Sequence, residues 1–396
     1  MIFYTGAFYG YGPFQLMLEE AGAFSNRCAP DEPLPCPSQT SMLLNVQFSS
    51  MLTTMIFTPF MGAGIDKYGP AIMFDVAFVF GIFGLVLLII STSLHIDPLL
   101  FPAFLCIGFM SCLSGLYTVQ TGLLFEEGRD RNRVISVLNA LLDSGAVTYL
   151  LLWFVETNTV LTLPTISLCT LQFTSLLWGH RSYVGQRLME QLMSSQYITL
   201  CIFFSFHQAR NTFTLTTTRD FLAYLGDDEY GNTYLSIFTL LTPVSVLGLP
   251  FVDLILHKWG YGAGLHTCNL LGICQGIVQV SSTNLSVQIL GFVFYSFYRC
   301  FLFSVTFSAL AAFIRGDVIG KGCGIYILFG GLSGLAFNIP LANVAVNSLG
   351  GNFFIPNLVY LLGCLPCTFL CYQVGRGFAK EAKKKEEIAL YSDRKE

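Results

Sequence analysis

FTPFMGAGIDKYGP, residues 57–70, is the stretch on which the fold of this chain turns. An apolar run from Ser41 to Met61 leads into it and another, Ala71 to Ile90, follows, each close to the roughly 20 residues a helix needs to cross a bilayer. The pattern predicts a hairpin between two spans. Gly62 and Gly64 have no Cβ and suit a tight turn, with Gly69 closing the pattern. Asp66 and Lys67 give the turn water-facing charge, and Pro70, with no amide hydrogen to leave unpaired, suits the first turn of the next helix.

Outward from the hairpin the composition keeps its character. Apolar residues make up 54% of 396 positions, aromatic ones 15% and charged ones only 11%, and the mean hydropathy is positive. A water-soluble globule cannot hide that much apolar surface, so the chain reads as an all-α polytopic membrane protein. A first apolar stretch runs from Met1 to about Met17, too short and too polar-ended for a cleaved signal peptide, and reads as a first span whose cytoplasmic start is cut short. Further spans are expected at Leu99–Leu124, Val134–Val155, Val160–Trp178, Tyr197–Thr216, Thr233–Leu256, Gly262–Ser281, Leu285–Phe313, Gly322–Ser348 and Phe353–Tyr372. With the two beside the opening stretch this makes twelve. They divide into residues 1–178 and 197–372, joined by a linker at 179–196 and followed by a charged tail at 373–396.

With a cytoplasmic amino terminus, 16 of the 20 Lys and Arg fall on inner loops and the tail; only Arg27 and Arg219 lie outside, while Arg210 and Arg299 sit within spans. The sequon Asn284-Leu285-Ser286 falls on the outer side, where glycosylation is possible. Most of the 13 cysteines lie in apolar runs, where a thiol acts as a small hydrophobe, and the one C-x-x-C pair, Cys364 and Cys367, lies in an apolar span without partner ligands, so no metal site is expected. Cys28 and Cys36 differ: they lie in the polar loop NRCAPDEPLPCP and can pair if it faces an oxidising compartment. After span eight, PFVDLILHKWGYG echoes the opening stretch loosely, with Pro250, Asp253, Lys258 and Gly260 in the places of Pro59, Asp66, Lys67 and Gly69.

A charge at mid-helix in lipid costs about 2.5–3.5 kcal/mol on insertion scales, so it normally faces a bundle interior or water. Arg299 in span ten, Asp143 in span five and Arg210 in span seven, beside His207, Gln208 and Asn211, are therefore either pathway residues or internal structural partners. Gly10 and Gly12 permit a helix break that offers backbone amides to a ligand, or else close helix packing. Tyr117, Gln120, Tyr295 and Tyr298 are candidates to line a central cavity, against plain aromatic packing. Asp143 and Asp253 are isolated, and the spans show no acidic cluster for proton or sodium coupling. No nucleophile–base pair or metal set recurs at a common depth, so neither an enzyme nor a cofactor is expected.

The pattern G-x-G-x-D-x-x-G before an apolar helix resembles the signature loop between spans two and three of the major facilitator superfamily, GxLaDrxGrr. Pro70 and Ala71 replace its basic pair, leaving any charge latch to Asp66 and Lys67. Within that superfamily, FYGYGPFQLMLEEAGAFSNRCAPDEPLPCPSQTS, VISVLNALLDSGAVTYLL, TRDFLAYLGDDEYGNTYLSIF and FYRCFLFSVTFSALAAFIRGDVIGKGCGI are similar to solute carrier family 43, the L-type amino acid transporters. Ala140, Gly145 and Ile319 depart from that family's pattern, as do the short amino terminus and linker. The resemblance implies a twelve-helix fold in two six-helix bundles, acting as a monomer without nucleic acid in the plasma membrane or an endomembrane. It implies sodium-independent facilitated diffusion of large neutral amino acids. In such a site Arg299 or the amides near Gly10 and Gly12 would hold the carboxylate, and Asn139 or Gln120 the ammonium. The rivals are a proton-coupled carrier of another small organic solute, working through Asp143, and a non-transporting sensor on a carrier scaffold.

Overall fold

The computed structural model describes residues 11–31, 34–125, 129–144, 188–314 and 318–393, without the side chains of 142–144, 188, 190 and 381–393. Span six, most of the linker, Gly10 and Arg315 lie outside the described residues, as does the Asp143 side chain. The described helices are α1 (Tyr11–Glu20), α2 (Pro37–Tyr68), α3 (Pro70–Leu94), α4 (Leu100–Ser111), α5 (Leu113–Gly122), α6 (Arg129–Ser144), α7 (Leu188–Leu192), α8 (Ser195–Tyr224), α9 (Thr233–Leu241), α10 (Leu249–Ser281), α11 (Leu285–Phe313), α12 (Ile319–Asn343) and α13 (Phe354–Asp393). Among the described residues seven stretches are long and apolar enough to cross a bilayer, and the chain is an integral, multi-pass membrane protein.

The opening stretch is tighter than the sequence implies. α2 runs on to Tyr68, and the reversal takes only Gly69, at φ 87° and ψ 162°, before Pro70 starts α3. Gly62 and Gly64 are therefore helical rather than turn residues. What they supply is proximity. A Cβ on Gly62 would lie 2.1 Å from the Gly320 carbonyl oxygen of α12, and one on Gly64 would lie 2.5 Å from the Met73 sulfur of α3. On α12 itself, Gly324 sits against Pro59 and Gly331 against Met55, so small residues along one face let α2 and α12 approach closely.

The echo after span eight folds the same way. α10 is helical from Leu249 and reverses at Gly260 alone, with φ 77° and ψ −176°, a region that only glycine enters readily. Three expected loops thus shrink to single residues or move. α8 continues past Thr216 to Tyr224, taking Arg219 and Asp220 out of the expected outer loop and into a buried helix end. α1 reaches Glu20 instead of stopping near Met17. The tail is a helical extension of the last span as far as Asp393.

At the end of the molecule opposite the Gly69 and Gly260 turns, Cys28 and Cys36 form a disulfide. Cys36 also caps α2, its sulfur accepting from the Gln39 amide. Asn284 caps α11 through its side-chain oxygen, which accepts from the Ser286 amide. We call the disulfide end outer and the glycine-turn end inner, following the distribution of basic residues.

Candidate functional site

Residues before 145 and after 187 meet at three levels: an inner contact, a cavity near the middle of α2 and α8, and an outer contact.

At the inner end Asp66 accepts hydrogen bonds from the backbone amides of Gly320 (3.1 Å) and Lys321 (3.0 Å). A carboxylate there faces the unpaired N–H groups and the positive dipole end of α12, and the pairing joins the two parts of the chain. Of the expected latch residues only Asp66 makes this contact; Lys67 is exposed and lies over the Tyr68 ring. Asp253 holds the matching position from the other side. It takes Arg129 (2.9 Å) and Arg133 (3.0 Å), both from the first turns of α6. Each acidic residue near a glycine turn therefore grips the start of a helix in the opposite part.

The central cavity has a volume of about 70 Å³. Its walls come from both parts: Thr54 and Thr58 of α2, Ser111, Ser114 and Asn139 from the first part, and Gln208, Phe204, Phe303, Phe307 and Ile327 from the second. No charged side chain lines it among the described residues. The hydroxyl protons are already committed to backbone carbonyls: Thr54 donates to Gly108 (2.8 Å), Ser111 to Ile107 (3.1 Å) and Ser114 to Ser111 (2.9 Å). Each hydroxyl oxygen can still accept a hydrogen bond. Two amide atoms, Asn139 Nδ2 and Gln208 Oε1, are buried with no hydrogen-bond partner. Buried polar atoms are rarely left so, and a site that awaits a ligand is one physical reason.

Of the sequence candidates among the described residues, Asn139 alone stands on this wall. Arg299 is fully buried one helical turn away and lies over the ring of Phe303, which does line the cavity. Arg210 goes elsewhere. Its guanidinium donates to Cys364 Sγ (2.9 Å), the Gly272 carbonyl and Gln275 Oε1 (3.3 Å) and covers the Tyr298 ring, tying α8 to α10, α11 and α13. Tyr295 donates to Asn211 Oδ1 (2.8 Å), and Tyr298 donates to the His207 carbonyl oxygen (2.9 Å), within the same helix group. Tyr117 donates to the Pro70 carbonyl, and neither it nor Gln120 lines the cavity. A Cβ on Gly12 would meet Leu235 at 2.8 Å, so this glycine serves close packing of α1 against α9. Gln208 was legible only as a polar neighbour of Arg210.

The outer contact was missed from sequence. Glu19 pairs with Arg219 at 2.8 Å, and Gln15 donates to both Glu19 (3.0 Å) and Asp220 (3.3 Å). Arg219 also reaches Asp220 at 3.5 Å. All four side chains are buried, so the acidic cluster absent from the linear reading is assembled from the ends of α1 and α8. Nearby, Ser41 donates to Asn347 (3.4 Å) across the same divide. Among the described residues the two parts are thus joined at both ends.

Solved structures with this arrangement of helices settle the fold. The chain has the major facilitator fold. The proton:xylose symporter XylE, bound to 6-bromo-6-deoxy-D-glucose, matches with a TM-score of 0.69 at 11% identity over 94% of either chain. The human organic anion transporter MFSD10 matches at 0.64 and 15% identity, covering 93% of this chain and 98% of its own. The Escherichia coli fucose:proton symporter FucP matches at 0.64 and 12% identity, over 94% and 96%. No protein-family model matches the sequence. No curated protein matches it either. In this fold the Asp66 and Glu19 contacts lie at opposite ends of the helix assembly, with the cavity between them.

Proposed function

We propose that the protein is an alternating-access carrier for a neutral, zwitterionic amino acid with an apolar side chain, moved down its gradient without sodium. The observation that carries this reading is the cavity: its described lining is uncharged, comes from both parts of the chain, and includes two residues that each keep one amide atom unpartnered, a donor on Asn139 and an acceptor on Gln208. Asn139 Nδ2 serves the carboxylate, and Gln208 Oε1 with the hydroxyl lone pairs serves the ammonium. Phe204, Phe303, Phe307 and Ile327 take the side chain. A pocket of about 70 Å³ has room for roughly two waters, so a leucine-sized solute enters only when the walls part. Residues 1–178 and 197–372 are the two moving bodies, joined by 179–196, with Asp66 and Asp253 holding the inner gate and Glu19 with Arg219 the outer one. The transport activities named for the solved structures of this fold support a carrier of some small solute.

One observation favours the rival, a proton-coupled carrier of another solute: two buried carboxylates share a single guanidinium at the outer contact. Uptake of labelled leucine into vesicles separates the two. Saturable uptake that runs down to equal concentrations and ignores sodium supports the first reading. Accumulation driven by an inward proton gradient supports the second, and no flux by leucine or other neutral amino acids overturns the proposed substrate.

A further inference from the structure

Two carboxylates, Glu19 and Asp220, are buried against one guanidinium, leaving the cluster one negative charge in excess in a place from which water is shut out. Counting its hydrogen bonds shows where the excess sits. Both Glu19 oxygens are served, one by Gln15 and one by Arg219. Of Asp220, Oδ1 receives Gln15, but Oδ2 has no donor, and neither has Gln15 Oε1. Two buried acceptors, each on a side chain more than nine-tenths buried, and one donor, Arg219 Nε, are therefore orphaned in one cluster. Burying an unpaired carboxylate charge is among the most costly arrangements in a protein, and an orphaned acceptor adds a desolvation penalty of its own.

A single proton cures both defects. It removes the excess charge, and a hydroxyl on Asp220 becomes a donor beside the Gln15 amide. We propose that the Glu19–Arg219–Asp220 cluster is a proton-binding site, filled as α1 and α8 close the outer end. Among the described residues nothing facing the cluster supplies the missing positive charge. On α1, Tyr11 spends its hydroxyl proton on the Leu43 carbonyl oxygen (2.6 Å) of α2. In the turn after α8, Asp227 is occupied by the amides of Tyr234 (3.0 Å) and Leu235 (2.9 Å), while Asp228 adds negative charge. α9 carries no charged side chain.

The sign follows from linkage. Closed, the cluster binds its proton more tightly than when the two ends separate and water solvates the carboxylates. Acid therefore stabilises closure, by up to tenfold per pH unit for one linked proton, and opening releases the proton to the side from which it came. Outer pH then sets how often the gate opens without the proton crossing the membrane, which separates this device from symport. Calling the contact a gate rests on the alternating-access reading; the proton site itself does not.

The test uses the full-length protein in lipid nanodiscs, without any transport assay. Infrared difference spectra are taken across a pH titration near neutrality. A carboxylic-acid band that appears on mild acidification and is lost in Asp220→Asn, or in Glu19→Gln, while persisting in Asp66→Asn, is the expected result. No such band, or one unchanged in both outer variants, overturns the site. Spin labels at positions 41 and 347, with native free cysteines replaced, report the outer distance: the closed population is expected to grow with acid and to become pH-independent in Asp220→Asn. A band that titrates while the distance stays fixed keeps the proton site and removes the gating claim. A distance that answers to sodium in place of pH overturns the proton in favour of a metal cation.

Discussion

Gly62→Ala is a methyl group placed where the inner contact has no room for it. The added Cβ would fall 2.1 Å from the Gly320 carbonyl oxygen and 2.6 Å from its carbon, both backbone atoms that no side-chain rotation can move aside. Ordinary contact needs roughly 3.4–4 Å, so α2 and α12 must separate by more than about 1 Å. That displacement also stretches the hydrogen bonds from Gly320 and Lys321 to Asp66, now at 3.1 and 3.0 Å, beyond useful range. Overpacking of this kind costs about 1–3 kcal/mol, equivalent to roughly 5- to 150-fold in population, and falls only on the state with the inner end closed. Within α2 itself alanine is the better helix former by about 1 kcal/mol, so the helix does not suffer. The assay is hydrogen exchange at the Gly320 and Lys321 amides in nanodiscs, expected to quicken by a factor in that range. Gly64→Ala is the control: its clash is with the tip of Met73, a flexible side chain in the adjoining helix, and it should leave those amides protected. Unchanged exchange in Gly62→Ala would refute the close-approach argument.

Arg219→Ala leaves Glu19 and Asp220 buried with no counter-charge and should cost about 3–5 kcal/mol, seen as a large drop in thermal unfolding temperature. Adding Glu19→Gln and Asp220→Asn should recover most of it, and failure to recover would place the damage elsewhere. Asp253→Asn breaks only exposed pairs and is expected to change stability by at most about 1 kcal/mol in the same melt, less in high salt. Asn139→Ala and Gln208→Ala should each weaken solute binding by about 1–3 kcal/mol, or 5- to 150-fold in uptake KM, at a small cost in thermal stability, because one amide atom of each is already unpartnered and the Gln208 bond to Thr212 is long at 3.4 Å. Stability loss with unchanged KM would make both residues structural.

A membrane protein of many spans was legible in the sequence, because apolar runs of bilayer length have no alternative in water and the backbone in lipid has none to a helix. Local chemistry was legible too. Pro70 starts α3, Gly69 makes the turn, and Cys28 and Cys36 sit close enough in a polar loop to be joined. Asn139 was named only through the substrate that the family resemblance implies, and it lines the central cavity. What the linear reading missed are relations between residues far apart. Gly62 looked like a turn residue, since a glycine beside charges has the same local signature whether it bends a chain or admits a neighbouring backbone; only the position of Gly320 distinguishes the two. Arg210 looked like a pathway residue until α10, α11 and α13 enclosed it. Glu19 and Asp220 are 201 positions apart in sequence, and neither Glu-Glu at the end of α1 nor Arg-Asp within α8 is unusual where water is near. Hydropathy and local propensity thus determined that the chain spans a bilayer and where most of its helices lie. Which charges lose their water, and which partner each then finds, was decided by the packing of the two parts against one another, because burial and Coulomb energy depend on distances that sequence order does not contain.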